Sequence, residues 1–286
     1  MYQQMENAFA TIEVDELGAQ LHSLRRRKDG YEYLWQGDPS IWAGQAPVLF
    51  PVVGSLVEGR CLVEGRAYSM PRHGFARGKR FFCVEQAPHR LVYALTDDME
   101  TRAQYPYAFE LRIAYALKGQ KLCVTYTVLN REARPMFFSI GAHPAFRCEM
   151  GDRLRLECRE ENLRTQRVGP DGLLLDETFP VPGGGREIEI TPELFCKDAL
   201  ILSGLHSRSV TLESRRFGHV VTVALGGAPY LGLWAKPGAP FVCIEPWYGV
   251  ADSHEPAKDF SQKRGIQRLE GHGRFDFTIQ IELHAF

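Results

Sequence analysis

The stretch FELRIAYALKGQKLCVTYTVLN, residues 109–130, decides the fold class. Apolar residues alternate with other residues in two runs, at Phe109, Leu111, Ile113 and Tyr115 and again at Leu122, Val124, Tyr126 and Val128. A period of two is typical of a half-buried β-strand. The intervening Lys118–Lys121, KGQK, supplies a glycine where a tight turn needs one. The stretch therefore predicts an antiparallel β-hairpin.

The same alternation returns at the end of the chain, at Phe275, Phe277, Ile279, Ile281 and Leu283. Amphipathic patterns of ten or more residues are missing, and only Glu255–Lys263 and Ile41–Gln45 suggest short helical turns. Many strands joined by turns that contain Gly and Pro favour a sandwich over alternating βαβ units. We expect an all-β protein.

The length of 286 residues suits one all-β domain that spans residues 1–286. The segment Pro180–Gly185, PVPGGG, is typical of a linker, but a strand pattern resumes directly after it at Glu187–Ile190. We therefore interpret PVPGGG as a surface loop inside a single domain.

The charges balance, with 34 Lys and Arg against 35 Asp and Glu, so the chain as a whole attracts neither nucleic acid nor an anionic membrane. The seven cysteines are scattered and form no C-x-x-C pair, which favours reduced thiols over a disulfide framework. The N-terminal segment lacks the pattern of a secretory signal, and no apolar run is long enough for a membrane span. We expect a cytoplasmic protein.

Motifs for other chemistries are missing from the sequence. It contains no P-loop, no H-E-x-x-H, no G-x-S-x-G and no closely spaced His or Cys pair. Gly183–Gly185 lacks the strand and helix that frame a phosphate-binding turn. We expect neither a metal nor any other cofactor.

The most informative candidate is Glu245 in FVCIEPWY, residues 241–248, where a hydrophobic strand ends in a carboxylate beside two aromatic residues. An apolar wall raises the pKa of a carboxyl group and makes it a better base near neutral pH. Alternatively, Glu245 points into solvent or pairs with an arginine.

A second candidate is His143 in SIGAHPAF, residues 139–146. Pro144 favours an extended conformation at His143, and the small neighbours leave room for a ligand. Histidine changes protonation near pH 7. A purely structural histidine is the alternative.

A third stretch, PRHGFARGKR at residues 71–80, combines a histidine and a glycine with four cations. By itself it fits either a basic surface loop or a site for an anionic or hydroxyl-rich ligand.

Taken together and in this order, RHGFAR (72–77), GAHPAF (141–146) and IEPWYGVAD (244–252) resemble the aldose 1-epimerase (galactose mutarotase-like) superfamily. The similarity is greatest to the short bacterial branch and extends from about Ala10 to the last strand. The resemblance implies a large antiparallel β-sandwich with an open cleft on one concave sheet. It also implies a cofactor-independent isomerase whose partner is a small-molecule sugar.

The resemblance further implies roles for single residues. Glu245 corresponds to the base that takes the proton of the C1 hydroxyl, and His143 to the acid that protonates the ring oxygen. His73 corresponds to the histidine that holds and polarises the sugar. Asp198, in FCKDA at residues 195–199, corresponds to a substrate-binding aspartate.

Arg77 and Trp247 are expected to shape the pocket, the latter with an apolar face for the sugar. One position departs from the family pattern, because Ser55 stands where the broader family commonly has an arginine. Arg60 or Arg77 is a candidate to replace that guanidinium in space.

Two other functions compete with sugar epimerisation. Relatives that act on hexose 6-phosphates also carry an HGFAR-like segment, and Arg72, Arg77, Lys79 and Arg80 could hold a phosphate. A non-catalytic carbohydrate-binding protein would keep the pocket without turnover, although Glu245 and His143 argue against it. The sequence leaves open whether the protein is a monomer or a homodimer.

Overall fold

The computed structural model describes residues 1–183 and 185–284. In chain order the strands are β1 Tyr2–Glu6, β2 Ala10–Asp15, β3 Gln20–Arg26, β4 Val48–Leu49, β5 Arg60–Val63, β6 Arg66–Ser69, β7 Phe82–Ala87, β8 Arg90–Thr96, β9 Phe109–Lys118, β10 Lys121–Asn130, β11 Met136–Phe138 and β12 Ile140–Ala142. They continue with β13 Ala145–Arg147, β14 Arg153–Leu156, β15 Arg164–Val168, β16 Leu174–Pro180, β17 Glu187–Glu189, β18 Leu200–Ser203, β19 Ser209–Ser214, β20 Gly218–Ala224, β21 Tyr230–Trp234, β22 Phe241–Tyr248, β23 Gln267–Leu269 and β24 Arg274–Leu283.

Two large antiparallel sheets dominate the structure. The nine-stranded sheet has the order β17-β14-β19-β20-β24-β10-β9-β8-β7, and the eight-stranded sheet has the order β16-β15-β18-β21-β22-β12-β4, with β13 also paired to β22. The predicted hairpin is β9 and β10, which pair from Lys118 and Lys121 onward inside the nine-stranded sheet. The all-β prediction is confirmed.

The hydrophobic core joins the two sheets. Leu111 of β9, Val124 of β10 and Ile279 of β24 belong to the same buried cluster as Leu231 of β21 and Ile244 of β22. Burying the inner faces of both sheets against each other produces the predicted β-sandwich.

Helical structure is sparse, but it differs from the prediction. The helix α1 covers Met99–Gln104, and its N-cap Asp98 accepts a hydrogen bond from the backbone of Thr101 at 2.7 Å. Because α1 has only six residues, it is too short to show a hydrophobic period. Short 3-10 turns cover Val57–Gly59, Ala76–Gly78, Pro192–Phe195 and Phe260–Gln262.

The two predicted helical turns are only partly correct. Glu255–Lys263 contains the 3-10 turn Phe260–Gln262, whereas Ile41–Gln45 contains no helix. Instead, the side chain of Asp38 accepts a hydrogen bond from the backbone of Ser40 at 2.8 Å and stabilises a turn there. All seven cysteines are free thiols. In the described ranges, no helix has the length and apolar character that a membrane span needs.

Candidate active site

Strand β22 brings the two main candidates together. Its neighbours β12 and β13 both pair with it in one register, with Gly141 opposite Trp247 and Ala145 opposite Cys243. The register is unbroken between those two pairs, so His143 lies directly opposite Glu245. Directly opposed residues of an antiparallel pair project from the same face of the sheet.

Each of the two residues is followed by a proline, Pro144 after His143 and Pro246 after Glu245. Proline has no N–H and cannot donate to the ladder. This accounts for the gap between β12 and β13, although the carbonyl of Pro144 still accepts a hydrogen bond from Ile244 at 3.2 Å. The ladder opens at the position where the two functional side chains meet.

The His143 and Glu245 side chains lie side by side at the bottom of a cleft. Nε2 of His143 is 3.2 Å from Oε2 of Glu245, and the Glu245 side chain is only 1% exposed. Oε2 of Glu245 and Nδ1 of His143 are buried without a hydrogen-bond partner. Because buried polar atoms are nearly always paired, these two indicate a place for a ligand.

Burial shifts the pKa of both groups toward their neutral forms. Desolvation raises the pKa of Glu245 well above its ordinary value, while Trp247 and the charge of Arg72 act in the opposite direction. Desolvation, together with the charges of Arg77 and Arg72, lowers the pKa of His143 to about 3. Burial therefore favours the state in which the Glu245 carboxyl group holds a proton and the His143 imidazole is neutral.

Aromatic rings fix the imidazole of His143. Trp42 stacks on it with ring centroids 5.2 Å apart, and Trp234 meets it edge-on at 6.0 Å. The His73 ring approaches it edge-on at 5.9 Å. These contacts leave the imidazole little freedom to rotate.

Trp247 lies flat over two glycines on the strands beside β22. A Cβ atom on Gly141 would lie 2.5 Å from the indole, and one on Gly232 would lie 2.4 Å from it. Both distances are shorter than any ordinary van der Waals contact, so the indole fits only because these two positions are glycines. The small neighbours of His143 were expected to leave room for a ligand, and this interpretation is wrong for Gly141, because Trp247 fills the space beside it.

The backbone of His73 has a left-handed φ of 66° and is followed by Gly74 with a φ of 74°. This turn packs tightly against the end of β4, where a Cβ on Gly74 would lie 2.1 Å from the carbonyl oxygen of Phe50. Nδ1 of His73 accepts a hydrogen bond from the backbone N–H of Gly54 at 3.1 Å. The neutral ring therefore carries its proton on Nε2.

The neutral state of His73 follows from its surroundings. Desolvation lowers its pKa well below 6.5, and the neighbouring His143 and Arg72 lower it further. Nε of Arg72 lies 3.3 Å from Nε2 of His73. Because Nε of Arg72 is itself a donor, it cannot accept this proton, and the Nε2–H of His73 can donate to a bound hydroxyl group.

Asp198 follows the 3-10 turn Pro192–Phe195 and has a left-handed φ of 61°. Its Oδ1 accepts a hydrogen bond from the backbone N–H of Ala199 at 2.7 Å, and its Oδ2 lies 3.9 Å from a guanidinium nitrogen of Arg72. Arg77 donates to the backbone carbonyl of Arg72 at 3.0 Å. Asp198 keeps acceptor capacity free for a ligand.

The cleft has a volume of about 270 Å³. All six residues that the sequence predicted line it: His73, Arg77, His143, Asp198, Glu245 and Trp247. The sequence considered Arg72 only as a possible phosphate ligand and did not place Trp42, Ala199, Trp234 and Lys236 there. Three of the four tryptophans line the cleft, and the rarity of tryptophan in the chain was the one available signal for Trp42 and Trp234.

The family model described as aldose 1-epimerase matches residues 1–257. The chain belongs to the aldose 1-epimerase family. It is 35% identical over 281 residues to protein LacX of Lactococcus lactis subsp. lactis, across 93% of this chain and 94% of that protein.

Two solved structures of similar proteins share the fold. A galactose mutarotase-like protein from Lactobacillus casei has a TM-score of 0.94 and 29% identity, over 99% of this chain and all of that one. A galactose mutarotase related enzyme from Lactobacillus acidophilus has a TM-score of 0.92 and 29% identity, over 100% of this chain and 98% of that one. The expected family and sandwich are confirmed.

Ser55 stands where the broader family commonly has an arginine. In space it has Arg72 as a neighbour, which the sequence did not suggest. A Cβ on Gly172 would lie 2.7 Å from Oγ of Ser55 and 3.6 Å from a guanidinium nitrogen of Arg72, so Arg72 reaches toward this position. Arg60 lines a different cavity and does not replace the guanidinium. Arg77 does line the cleft.

One group in the described part of this aldose 1-epimerase family member is spaced closely enough to hold a metal ion. Ligand atoms of His143, Cys243 and Glu245 all lie within 4.8 Å of one another. A cysteine binds a metal ion as the thiolate, but burial raises the pKa of Cys243 well above its ordinary value. The protonated thiol makes this group a poor metal site at neutral pH.

Proposed function

We propose that the protein is an aldose 1-epimerase that interconverts the α and β anomers of an aldohexose. The observation that carries the proposal is the buried Glu245 and His143 pair, 3.2 Å apart, with unpartnered polar atoms at the floor of a cleft walled by tryptophans. The C1 hydroxyl and the ring oxygen are both bonded to C1. An acid and a base that serve these two oxygens must therefore be neighbours.

The reaction needs one proton on the pair at every stage. Glu245 takes the proton of the C1 hydroxyl while His143 gives one to the ring oxygen, so the C1–O5 bond breaks and the hemiacetal becomes an open-chain aldehyde. After rotation about the C1–C2 bond, the ring oxygen attacks the other face of C1 and both protons return. The balance closes without an oxidant or a cofactor, and each positioned group typically contributes about 10²–10⁴-fold.

The sugar itself helps to set the charges. Burial favours the neutral pair in the empty cleft. Hydroxyl groups that donate to the Glu245 carboxylate stabilise its charged form, and the imidazolium of His143 then forms beside it.

The remaining residues of the cleft position the ring. Nε2–H of His73 donates to a sugar oxygen, and Asp198 accepts from a hydroxyl. The indoles of Trp42, Trp234 and Trp247 offer apolar contacts to the pyranose. We further propose that the chain works as a single domain and in the cytoplasm. The reducing conditions there keep thiols such as its seven free cysteines from forming disulfides.

Anomer exchange measured by NMR on freshly dissolved glucose and galactose tests the proposal. The protein should accelerate exchange above the spontaneous rate, and addition of EDTA should leave that rate unchanged. No acceleration with any aldohexose would overturn the proposal and leave the hexose 6-phosphate and the non-catalytic sugar-binding alternatives.

A hexose 6-phosphate is a second candidate substrate, favoured by the charges at the cleft mouth. Arg77 and Lys236 line the mouth, and in residues 1–183 and 185–284 neither forms an ion pair with a carboxylate. Lys79 and Arg80 were also expected to hold a phosphate, but they pair with Glu100 at 2.6 Å and Glu16 at 2.7 Å.

Comparing kcat/KM for glucose and glucose 6-phosphate separates the two candidates. If the phosphate is recognised, Lys236→Ala should reduce kcat/KM for the phosphorylated sugar roughly ten-fold and leave glucose unaffected, because a charge-assisted hydrogen bond contributes about 1.5–3 kcal/mol. Lys121→Ala, far away on β10, is the control. If kcat/KM is the same for glucose and glucose 6-phosphate, and neither Lys236→Ala nor Lys121→Ala changes it, the phosphate is not recognised.

A further inference from the structure

The imidazole of His73 faces a hydrogen-bond donor at each of its two nitrogens. The backbone N–H of Gly54 donates to Nδ1 at 3.1 Å, and Nε of Arg72 lies 3.3 Å from Nε2. A neutral imidazole accepts a hydrogen bond at one nitrogen and carries its proton on the other. Because both donors cannot be satisfied at once, the more firmly held of the two decides the tautomer.

Gly54 is held more firmly than the side chain of Arg72. The Arg72 side chain is 50% exposed, and fixing such a long side chain costs conformational entropy. Gly54 instead offers a backbone group, and its carbonyl accepts a hydrogen bond from the N–H of His73 at 2.9 Å. On its other side, a Cβ on Gly54 would lie 2.5 Å from Cβ of Ala251. Gly54 is therefore enclosed between His73 and the third sequence motif.

Asp252, the last residue of that motif, fixes the segment 54–57 at two points. Its backbone N–H donates to the carbonyl of Ser55 at 2.9 Å, and its Oδ2 accepts from the backbone N–H of Val57 at 3.1 Å. Its Oδ1 accepts from Nζ of Lys263 at 2.6 Å. With each carboxylate oxygen bound to a donor, the side chain has a defined orientation and holds the segment in place.

Burial makes these contacts of the carboxylate strong. The Lys263 and Asp252 side chains are 3% and 9% exposed, so little water competes for either oxygen. A hydrogen bond to an ionised acceptor is roughly twice as strong as a neutral one. Because apolar side chains of similar volume often stabilise a fold as well as a buried ion pair does, the charge is better explained by the backbone N–H that it holds.

We propose that Asp252 is a positioning residue that sets the tautomer of His73 through the segment 54–57. It keeps the Gly54 N–H on Nδ1, so the single ring proton stays on Nε2 in the cleft. If the segment moves, the proton passes to Nδ1 and Nε2 accepts from Arg72 instead. The ring is neutral in both states, but only the first offers a donor to the sugar. The inference rests on the proposed function for this sugar contact, whereas the tautomer itself exists without a ligand.

Two variants of Val57 compare the released segment with the held one. Proline has no N–H, so Val57→Pro removes the donor to Asp252. The backbone accommodates it, because Leu56 is extended with a φ of −102° and a ψ of 153°, and proline is tolerated at the first residue of a helical turn. Val57→Ala keeps the N–H and is the matched control. Both variants retain Lys263 and its partner carboxylate.

NMR of the His73 ring nitrogens in the ligand-free protein is the first measurement. The wild type and Val57→Ala should show the Nε2–H tautomer, and Val57→Pro should show a clear population of the Nδ1–H tautomer. A merely structural role for Asp252 would lower stability without changing these signals. An unchanged tautomer in Val57→Pro, or the Nδ1–H form in the wild type, would overturn the inference.

Anomer exchange of glucose is the second measurement. Val57→Pro should lower kcat/KM roughly ten-fold, equivalent to about 1.4 kcal/mol, and Val57→Ala should match the wild type. In a His73→Ala background, Val57→Pro should cause no further loss, because the residue through which it acts is absent. The same ten-fold loss in that background would mean that the effect bypasses His73, against the inference. If the wild type accelerates no sugar, the proposed function fails by itself and the tautomer measurement still decides.

Urea unfolding shows whether Val57→Pro is folded. If it is not, two double variants replace it, Lys263→Met with Asp252→Asn and Lys263→Met with Asp252→Leu. Both lack the buried ion pair, but only Asp252→Asn offers an oxygen to the N–H of Val57. The first double variant should keep the Nε2–H tautomer of His73, and the second should lose it. Equal tautomers in the two would overturn the inference.

Discussion

At the scale of single residues, the site depends on desolvated groups held without full hydrogen bonding. Glu245 has apolar neighbours and an unpartnered oxygen, and His143 is enclosed by aromatic rings. Such groups are costly to bury and reduce stability when no ligand is present. Their arrangement is explained if the missing partners are the oxygens of a sugar.

Replacing Glu245 by Gln should abolish epimerisation while preserving sugar binding. The amide keeps the shape and can still hydrogen-bond a hydroxyl, but it cannot take a proton. We expect kcat to fall by at least about 10²-fold in NMR exchange measurements. Glu187→Gln, at an exposed site on β17, is the matched control. Exchange at the wild-type rate in Glu245→Gln would contradict the assignment of the base.

The pH dependence of kcat/KM should be flat around neutrality. An ordinary imidazole acid would lose its proton near pH 6.5. Here burial lowers the pKa of His143 to about 3, so the imidazole gains a proton only in acid, and burial raises the pKa of Glu245 well above its ordinary value. Rates corrected for spontaneous exchange should therefore show no inflection near pH 6.5. A clear inflection there would mean that His143 titrates as an exposed histidine.

Ser55→Arg should weaken sugar binding rather than restore a family contact. The guanidinium of Arg72 already reaches toward this position, so a second one would repel and crowd it. We expect the dissociation constant for an aldohexose to rise roughly ten-fold by calorimetry, about 1.4 kcal/mol. Ser55→Ala adds no charge and should bind as the wild type does. Tighter binding by Ser55→Arg would show that Arg72 leaves room for it.

At the scale of elements, β22 and its neighbours build the floor of the cleft. β12 and β13 present His143 opposite Glu245, and β21 places Gly232 opposite the same glutamate. Because Gly232 has no side chain, the Trp247 indole can occupy the space above it. The geometry of the acid–base pair therefore comes from paired strands.

Gly232→Ala should disturb the cleft through Trp247. The new Cβ would lie 2.4 Å from the indole and force the ring to move. We expect a loss of about 1–3 kcal/mol in unfolding free energy from overpacking and a clear fall in kcat/KM. Gly78→Ala, where a Cβ meets nothing within 4 Å, is the control. Full activity of Gly232→Ala would show that the position of Trp247 does not matter.

At the scale of the whole molecule, distant segments meet around Asp252, the last residue of the third motif. Its Oδ2 accepts from the backbone of Val57 at 3.1 Å, and its Oδ1 lies 2.6 Å from Nζ of Lys263. Its backbone N–H donates to Ser55 at 2.9 Å, and its carbonyl accepts from Leu174 at 2.7 Å. A nearly buried ion pair thus joins four segments beside the cleft.

Lys263→Met should destabilise the fold strongly. The Lys263 and Asp252 side chains are 3% and 9% exposed, so the variant leaves an unpaired buried carboxylate at a cost of about 3–5 kcal/mol. In urea unfolding, the double variant Lys263→Met, Asp252→Asn should recover part of this loss. Arg274→Met, which breaks an exposed pair with Asp276, should change stability by at most about 1 kcal/mol. A single variant as stable as the wild type would contradict the role of the pair.

Much of the fold and the main candidates could be predicted from the sequence. The alternation in residues 109–130 and at Phe275–Leu283 determines strands, because side-chain direction in a strand depends only on position along the chain. The paired motifs also contained the central contact. His143 and Glu245 each precede a proline, and antiparallel pairing of GAHPAF with the IEPWY segment sets them opposite each other.

The tertiary structure alone decided which other residues share the cleft. Trp42, Trp234 and Lys236 come from separate segments with no motif of their own, and Lys79 turns away to Glu100 although it follows the RHGFAR motif closely. Periodicity reports which face of a strand is buried, but it carries no information on which distant strands become neighbours. That choice is made when the two sheets pack, because only then do the aromatic rings, glycine seats and ion pairs find their partners.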